Sequence, residues 1–131
     1  MTTGGIIEVV AAVIRRGDKI LLASRPADKP PTGWEFPGGK VEPEESFVAA
    51  AIRELREELG VNVAPGQELG SVENGSVRIH FIAAELPESE IPAPQEHQQC
   101  FWVELSPEPP EQLLPADRDF WRKLARMNKI C

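Results

Sequence analysis

Three glutamates, Glu54, Glu57 and Glu58, are spaced i, i+3 and i+4 within the stretch from Gly38 to Val61, GGKVEPEESFVAAAIRELREELGV. On a helix of about 3.6 residues per turn these positions are surface neighbours. Like charges so placed destabilise an isolated helix by about 0.2–0.5 kcal/mol per pair. A divalent cation removes that penalty, because it takes carboxylate oxygens and keeps positions open for substrate phosphates. The alternative is a solvated acidic face relieved by Arg53 and Arg56. The flanks of the helix favour the cation. A Gly-Gly loop precedes it, where a bare backbone carbonyl can add a hard oxygen ligand. Glu45 stands at the helix start, where a carboxylate also favours the dipole.

The elements that must position these groups are legible from pattern. Residues 44–59 read as the one strong helix, with Gly60 as its left-handed stop. Val48, Ile52, Leu55 and Leu59 fall within about 60° of each other, a core-facing stripe nearly opposite the glutamates. Ile6–Ile14 is an apolar, β-branched run that suits a strand covered on both faces. Arg15 to Asp18 reads as its turn and Lys19–Ala23 as the returning strand. Trp34–Phe36 is a short extended piece. Asn74-Gly75 is a hairpin signal between Leu69–Glu73 and Ser76–Leu86, and Phe101–Leu105 reads as a further strand. Asp117 is placed to cap a last helix whose Phe120, Trp121, Leu124 and Ala125 recur at helical spacing. Clustered prolines at 26–31, 87–94 and 107–115 mark the connections. Two helices and some six strands in mixed order make an α/β domain spanning 1–131, with no internal repeat or boundary.

Composition narrows the class. At 131 residues, 41% hydrophobic and 27% charged, the chain has ordinary globular usage and length for one real core. Its net charge of −7 argues against a nucleic-acid polymer or an anionic membrane as partner. An anionic substrate would then need something other than net charge to attract it, and a metal ion is the obvious candidate. Cys100 and Cys131 stand in no metal-binding or redox spacing, so a reduced, cytoplasmic setting is expected. The N-terminus has no basic region, and its apolar run is too short to span a bilayer.

The helix stretch resembles the Nudix box, G-x(5)-E-x(7)-R-E-U-x-E-E-x-G-U, with U an aliphatic residue. Gly39, Glu45, Arg53, Glu54, Leu55, Glu57, Glu58, Gly60 and Val61 fill every fixed position. A chance match is on the order of 10⁻⁸ per start position. WEFPGGK before the box and LPAD before the last helix resemble the MutT-like nucleoside triphosphate pyrophosphohydrolases, especially those acting on CTP and oxidised nucleotides. The resemblance implies the Nudix fold, a mixed β-sheet sandwiched between helices (α/β/α).

It also implies roles. Glu54, Glu57 and Glu58, with the Gly39 carbonyl, would hold Mg²⁺, for which Mn²⁺ could substitute. Arg53 would orient the glutamates, with Glu45 as its supporting carboxylate, and Glu96 would approach the metals. Water would attack the β-phosphorus, giving nucleoside monophosphate and pyrophosphate. Glu54 is favoured as the proton acceptor, with Glu96 and Glu57 left open. Asp117 stands where the family reads the base edge, and an ionised carboxylate there accepts from the cytosine amino group or from guanine N1–H and N2–H₂. Phe36 and Ile6 either line that pocket or pack in the core, and Arg25 lies near the nucleotide or on the surface. His80 and His97, without partners at metal-site spacing, read as non-catalytic. The partner implied is a nucleotide substrate, acted on by a monomer or homodimer. Competing readings are a hydrolase of ADP-ribose or a dinucleoside polyphosphate, and a silent nucleotide-sensing module.

Overall fold

The computed structural model describes residues 5–26, 28, 31–95 and 99–130, the last three by backbone alone. Among these residues the chain runs β1 (Ile7–Arg16), β2 (Lys19–Ser24), β3 (Trp34–Glu35), β4 (Gly38–Lys40), α1 (Phe47–Leu59), β5 (Ala64–Asn74), β6 (Val77–Glu85), β7 (Cys100–Glu104) and α2 (Pro115–Ile130). The sheet order is β3-β2-β1-β6-β5, with β4 also on β1 and β7 on β2. β1 and β6 are parallel and the other pairs antiparallel, so the sheet is mixed.

β1 is central, and its two faces show the period-2 alternation of a doubly covered strand. Ala11 and Val13 pack with Phe81 of β6 and with Phe120, Trp121 and Leu124 of α2. Ala12 and Ile14 pack with Leu21, Ala84, and Leu55 and Leu59 of α1 on the other face. Val10 meets Ala50, Ala51 and Ile82 there. The expected sandwich of a mixed sheet between helices is therefore what the chain forms.

Boundaries differ where local chemistry decides them. α1 starts at Phe47, not 44, because Ser46 is the N-cap and its Oγ accepts from the Ala49 N–H at 3.0 Å. Before it, Glu42 to Glu45 form a turn closed by Glu45 N–H to Glu42 C=O at 3.1 Å, with Glu44 in the left-handed region at φ 65°. Gly60 ends the helix as expected, at φ 66°. The β5–β6 loop is Gly75-Ser76, one residue later than Asn74-Gly75, since Asn74 still pairs with Val77. β5 starts at Ala64, earlier than the hydrophobic pattern showed, and its register shifts twice, between Pro65 and Glu68 and between Glu68 and Gly70. α2 begins at Pro115, whose fixed φ and missing N–H suit a first helical turn. Asp117 therefore lies inside that turn and is not its N-cap.

Candidate active site

The face that α1 turns to the sheet carries the carboxylates. Its buried residues are Ala50, Ala51, Leu55 and Leu59. At about 100° per residue, they span an arc of about 180° that contains Glu58 and Glu54. The acidic positions are thus not opposite the core, as the stripe through Val48 and Ile52 suggests. Small residues at 50 and 51 let the helix approach β4, and two glutamates are carried in with it. Glu57, on the rim of the arc, keeps 61% of its side chain exposed.

Arg53 fixes these acids. Its Nε and Nη2 donate to the two carboxylate oxygens of Glu45 at 2.7 and 2.9 Å, a bidentate pair. Nη1 donates to Glu54 at 3.1 Å and Glu57 at 3.2 Å, and Nη2 also reaches the Lys40 carbonyl at 2.9 Å. Glu42 lies 4.0 Å from Nη1. Only a planar fork serves this many fixed acceptors. The hydrogen bonds from Arg53 and from the Glu42 N–H hold the Glu45 carboxyl down to about 2.

β4 supplies the opposite wall. The Gly38 N–H donates to Glu58 Oε1 at 3.2 Å. A Cβ on Gly38 would overlap the Val10 carbonyl, and one on Gly39 would enter the Glu54 carboxylate. Burial pushes the Glu58 carboxyl up to about 8, helped by the charges of Glu54 and Glu35. Burial raises Glu54 as well, against the opposing pull of Arg53. Among the described residues no three His, Cys, Asp or Glu side chains gather around one point. Glu54 and Glu57 are turned to Arg53, and Glu58 to Gly38. The donor set nevertheless fits a hard cation. It is all oxygen, it lies against bare glycine backbone, and its most buried acid, Glu58, has no positive charge among the groups that set its ionisation.

From Glu58 a cleft of about 210 Å³ runs past Gly38, Phe36 and Arg25 to Asp117. Asp117 is 6% exposed, and its Oδ2 accepts from the Phe36 N–H at 3.1 Å. Burial, with the Glu35 charge beside it, raises its carboxyl to about 7 despite that hydrogen bond. Arg25 Nη1 lies 3.3 Å from Glu35 Oε1. Phe36 is buried among Phe81, Phe120 and Trp121 and also lines the cleft. Ile6 is placed apart: it is 42% exposed and lines a separate shallow pocket with Val41 and Phe47. Glu96 and His97 lie outside the described residues.

Pattern reading missed Glu35, Gly38, Lys40 and Glu42. Glu35 had a signal, a lone charge between two aromatics just before the Gly-Gly loop. Gly38 and Lys40 act through backbone atoms, which residue type alone does not announce.

A mixed sheet between two helices, with a guanidinium-ordered acidic helix against a glycine strand, defines a hydrolase of the Nudix class. A family model for the NUDIX domain matches residues 6–124. The CTP pyrophosphohydrolase of Escherichia coli (strain K12) is 48% identical over 120 residues, 86% of each chain. The Mycobacterium tuberculosis protein named "Putative 8-oxo-dGTP diphosphatase 2" is 36% identical over 129 residues, 90% of this chain and 87% of its own. The crystal structure of MutT protein from Methanosarcina mazei Go1 superposes with a TM-score of 0.79 at 30% identity, over 98% of this chain and 99% of that one. The chain belongs to the Nudix family and is a pyrophosphohydrolase. Among the described residues no helix is long and apolar enough to cross a membrane.

Proposed function

We propose that the protein hydrolyses a nucleoside triphosphate, of the CTP or 8-oxo-dGTP kind, to nucleoside monophosphate and pyrophosphate, with Mg²⁺ as cation and Mn²⁺ as substitute. The observation that carries this reading is the cleft that runs from Glu58, the helical neighbour of the Arg53-ordered Glu54 and Glu57, to the buried Asp117 carboxyl. Its two ends suit the two ends of a nucleotide, a phosphate chain and a base. The names of the two relatives support the same substrate class.

Glu54, Glu57 and Glu58, with the Gly39 carbonyl, would hold the cation. When bound, the cation neutralises phosphate charge and lowers the pKa of water. Glu54 accepts the proton of the attacking water. The water oxygen bonds to the β-phosphorus, the bond from that phosphorus to the α–β bridging oxygen breaks, and the nucleoside monophosphate leaves. Arg53 keeps Glu54 and Glu57 in one geometry throughout, which is positioning rather than contact with substrate. At the other end Asp117 takes the base edge. Ionised, it accepts from cytosine N4–H₂ or guanine N1–H and N2–H₂; protonated, it can also donate. A carboxyl titrating near neutrality suits both cytosine and an oxidised purine.

The test is a panel of normal, 8-oxo and 5-substituted nucleotides, with ADP-ribose and a dinucleoside polyphosphate beside them, assayed for pyrophosphate against phosphate release in ¹⁸O-water. Pyrophosphate carrying the label, with CTP or 8-oxo-dGTP leading the panel, is the expected result. Label in the monophosphate would overturn attack at the β-phosphorus. Preference for ADP-ribose or a dinucleoside polyphosphate would overturn the substrate class.

A further inference from the structure

Next to the N-terminal end of α1 lies a cluster that none of the roles above uses. His80 of β6 faces that helix, with 8% of its side chain exposed. Its Nε2 stands 2.7 Å from Glu8 Oε1 on β1, and its Nδ1 2.9 Å from Glu68 Oε2 on β5. Glu8 also meets Arg78 Nη1 at 3.3 Å, and Arg78 holds Glu73 at 3.0 Å. One imidazole therefore ties three strands together. Its ring is stacked on Phe47, with centroids 3.8 Å apart and planes 23° from parallel. Phe47 is the first residue of α1, beside the N-cap Ser46 and two residues after Glu45. Glu45 is in turn the bidentate partner of Arg53.

We propose that His80 is a positioning residue for the cation site. Clamped by Glu8 and Glu68, its ring fixes Phe47 and so the start of α1. That sets where Glu45 holds Arg53, and where Arg53 holds Glu54 and Glu57. The inference rests on the reading of Glu54 and Glu58 as ligands of a divalent cation.

The physical reason lies in how α1 meets the sheet. Close to its N-terminus it does so through Ala50 and Ala51, whose methyl groups pack well but resist rotation of the helix weakly. A ring that donates through both nitrogens, as an imidazolium does to two carboxylates, is held in its own plane, because tilting it breaks one bond or the other. A second ring stacked on that fixed plane has little freedom to slide. Outer partners of this kind set ligand geometry in metal sites generally. The spacing of His80 from Glu8 and Glu68 along the chain gives no hint of this, since parallel β1–β6 pairing brings Glu8 beside Arg78.

The experiment measures Mn²⁺ binding to the whole protein by water-proton relaxation, with kcat, KM for CTP and the thermal midpoint measured alongside. The variants are Phe47→Leu, His80→Gln and the two combined. Each single change is expected to weaken Mn²⁺ binding about three- to tenfold and to lower kcat with KM little changed. The double variant should be no weaker than the worse single one, because a shared contact is lost only once. Glu68, with 38% of its side chain exposed, provides gentler variants should His80→Gln not fold. Glu68→Ala is expected to weaken Mn²⁺ in the same direction, and Glu68→Gln, which keeps an acceptor for Nδ1–H, to restore parental affinity. Parental Mn²⁺ affinity with only a lowered thermal midpoint would overturn the proposal and leave His80 as packing. Additive losses in the double variant would also overturn it. A parent protein that binds no Mn²⁺ would overturn the cation reading itself, and this inference with it.

Discussion

Single residues decide the chemistry. Arg53 serves four carboxylate oxygens and a backbone carbonyl, and a lysine in its place has no fork to divide among them. Arg53→Lys is expected to lower kcat about 10- to 100-fold, with a small change in thermal midpoint. Steady-state kinetics and a melting curve on the same preparation check both halves, and parental turnover would remove Arg53 from its role. Asp117 makes a different prediction, because its folded carboxyl sits near 7 against an ordinary 3.8. The folded state then binds the proton more tightly than the unfolded state. Its contribution to stability is complete below about pH 4 and is lost as pH rises through about 7. Asp117→Asn should flatten denaturant-derived stability between pH 4 and 7, while its amide oxygen still accepts from the Phe36 N–H. The same variant should reorder the base panel, with cytosine and guanine nucleotides most affected. An unchanged pH slope and an unchanged ranking would together deny Asp117 both parts. The trio of glutamates is legible from type and spacing, and the place of Arg53 and Glu45 beside it only from the resemblance to the Nudix box. Burial is legible from neither, because a 3.6-residue wheel locates neighbours on a helix but not the side on which the sheet lies.

At the scale of elements, the turn into α1 holds a residue against its own preference. Glu44 has a left-handed φ of 65° with an exposed side chain, a conformation that costs an L-residue about 1–2 kcal/mol. Glu44→Gly should therefore stabilise the protein by about 0.5–1 kcal/mol once the extra freedom of glycine in the unfolded chain is subtracted. Urea denaturation with an unchanged m-value would show it, and a destabilised variant would mean that the Glu44 side chain has an unseen partner. The elements themselves were readable wherever hydrophobic period and punctuation agreed. β1 showed the run of a strand buried on both faces, and Gly60 the stop of a helix. Asp117 does not cap α2 because Pro115, two residues earlier, is itself a good first helical residue. β5 extends beyond its hydrophobic pattern because Pro65, Gly66 and Gln67 break the alternation that marks a strand, and the register shifts between Pro65 and Glu68.

For the whole molecule, the acidic balance and the cation belong together. With a net charge of −7, the folded chain repels both its own acids and a triphosphate. A ligand that binds the folded state alone stabilises it by mass action, about 2.7 kcal/mol at a hundred times its Kd. Mg²⁺ should therefore raise the thermal midpoint above its value in EDTA, by several degrees for a chain of this size. Glu58→Gln should abolish most of that rise while leaving the EDTA value no lower, since burial already disfavours the Glu58 charge. Calorimetry in the two buffers checks it, and an equal rise in the variant would remove Glu58 from the ligands.

The irregularity of β5 has a consequence for solubility. This strand closes one end of the sheet, where a neighbouring chain could add its own strand to the free edge. Pro65 has no N–H to offer there, and the two register shifts that follow it bend the ladder away from flatness. Edge-to-edge stacking needs a flat, uninterrupted row of donors and acceptors, so the stretch that hid β5 from pattern reading also guards the chain against fibrous self-association. Pro65→Val, which restores a donor and a β-forming side chain, should leave turnover intact and shorten the lag before thioflavin-positive aggregates form on storage.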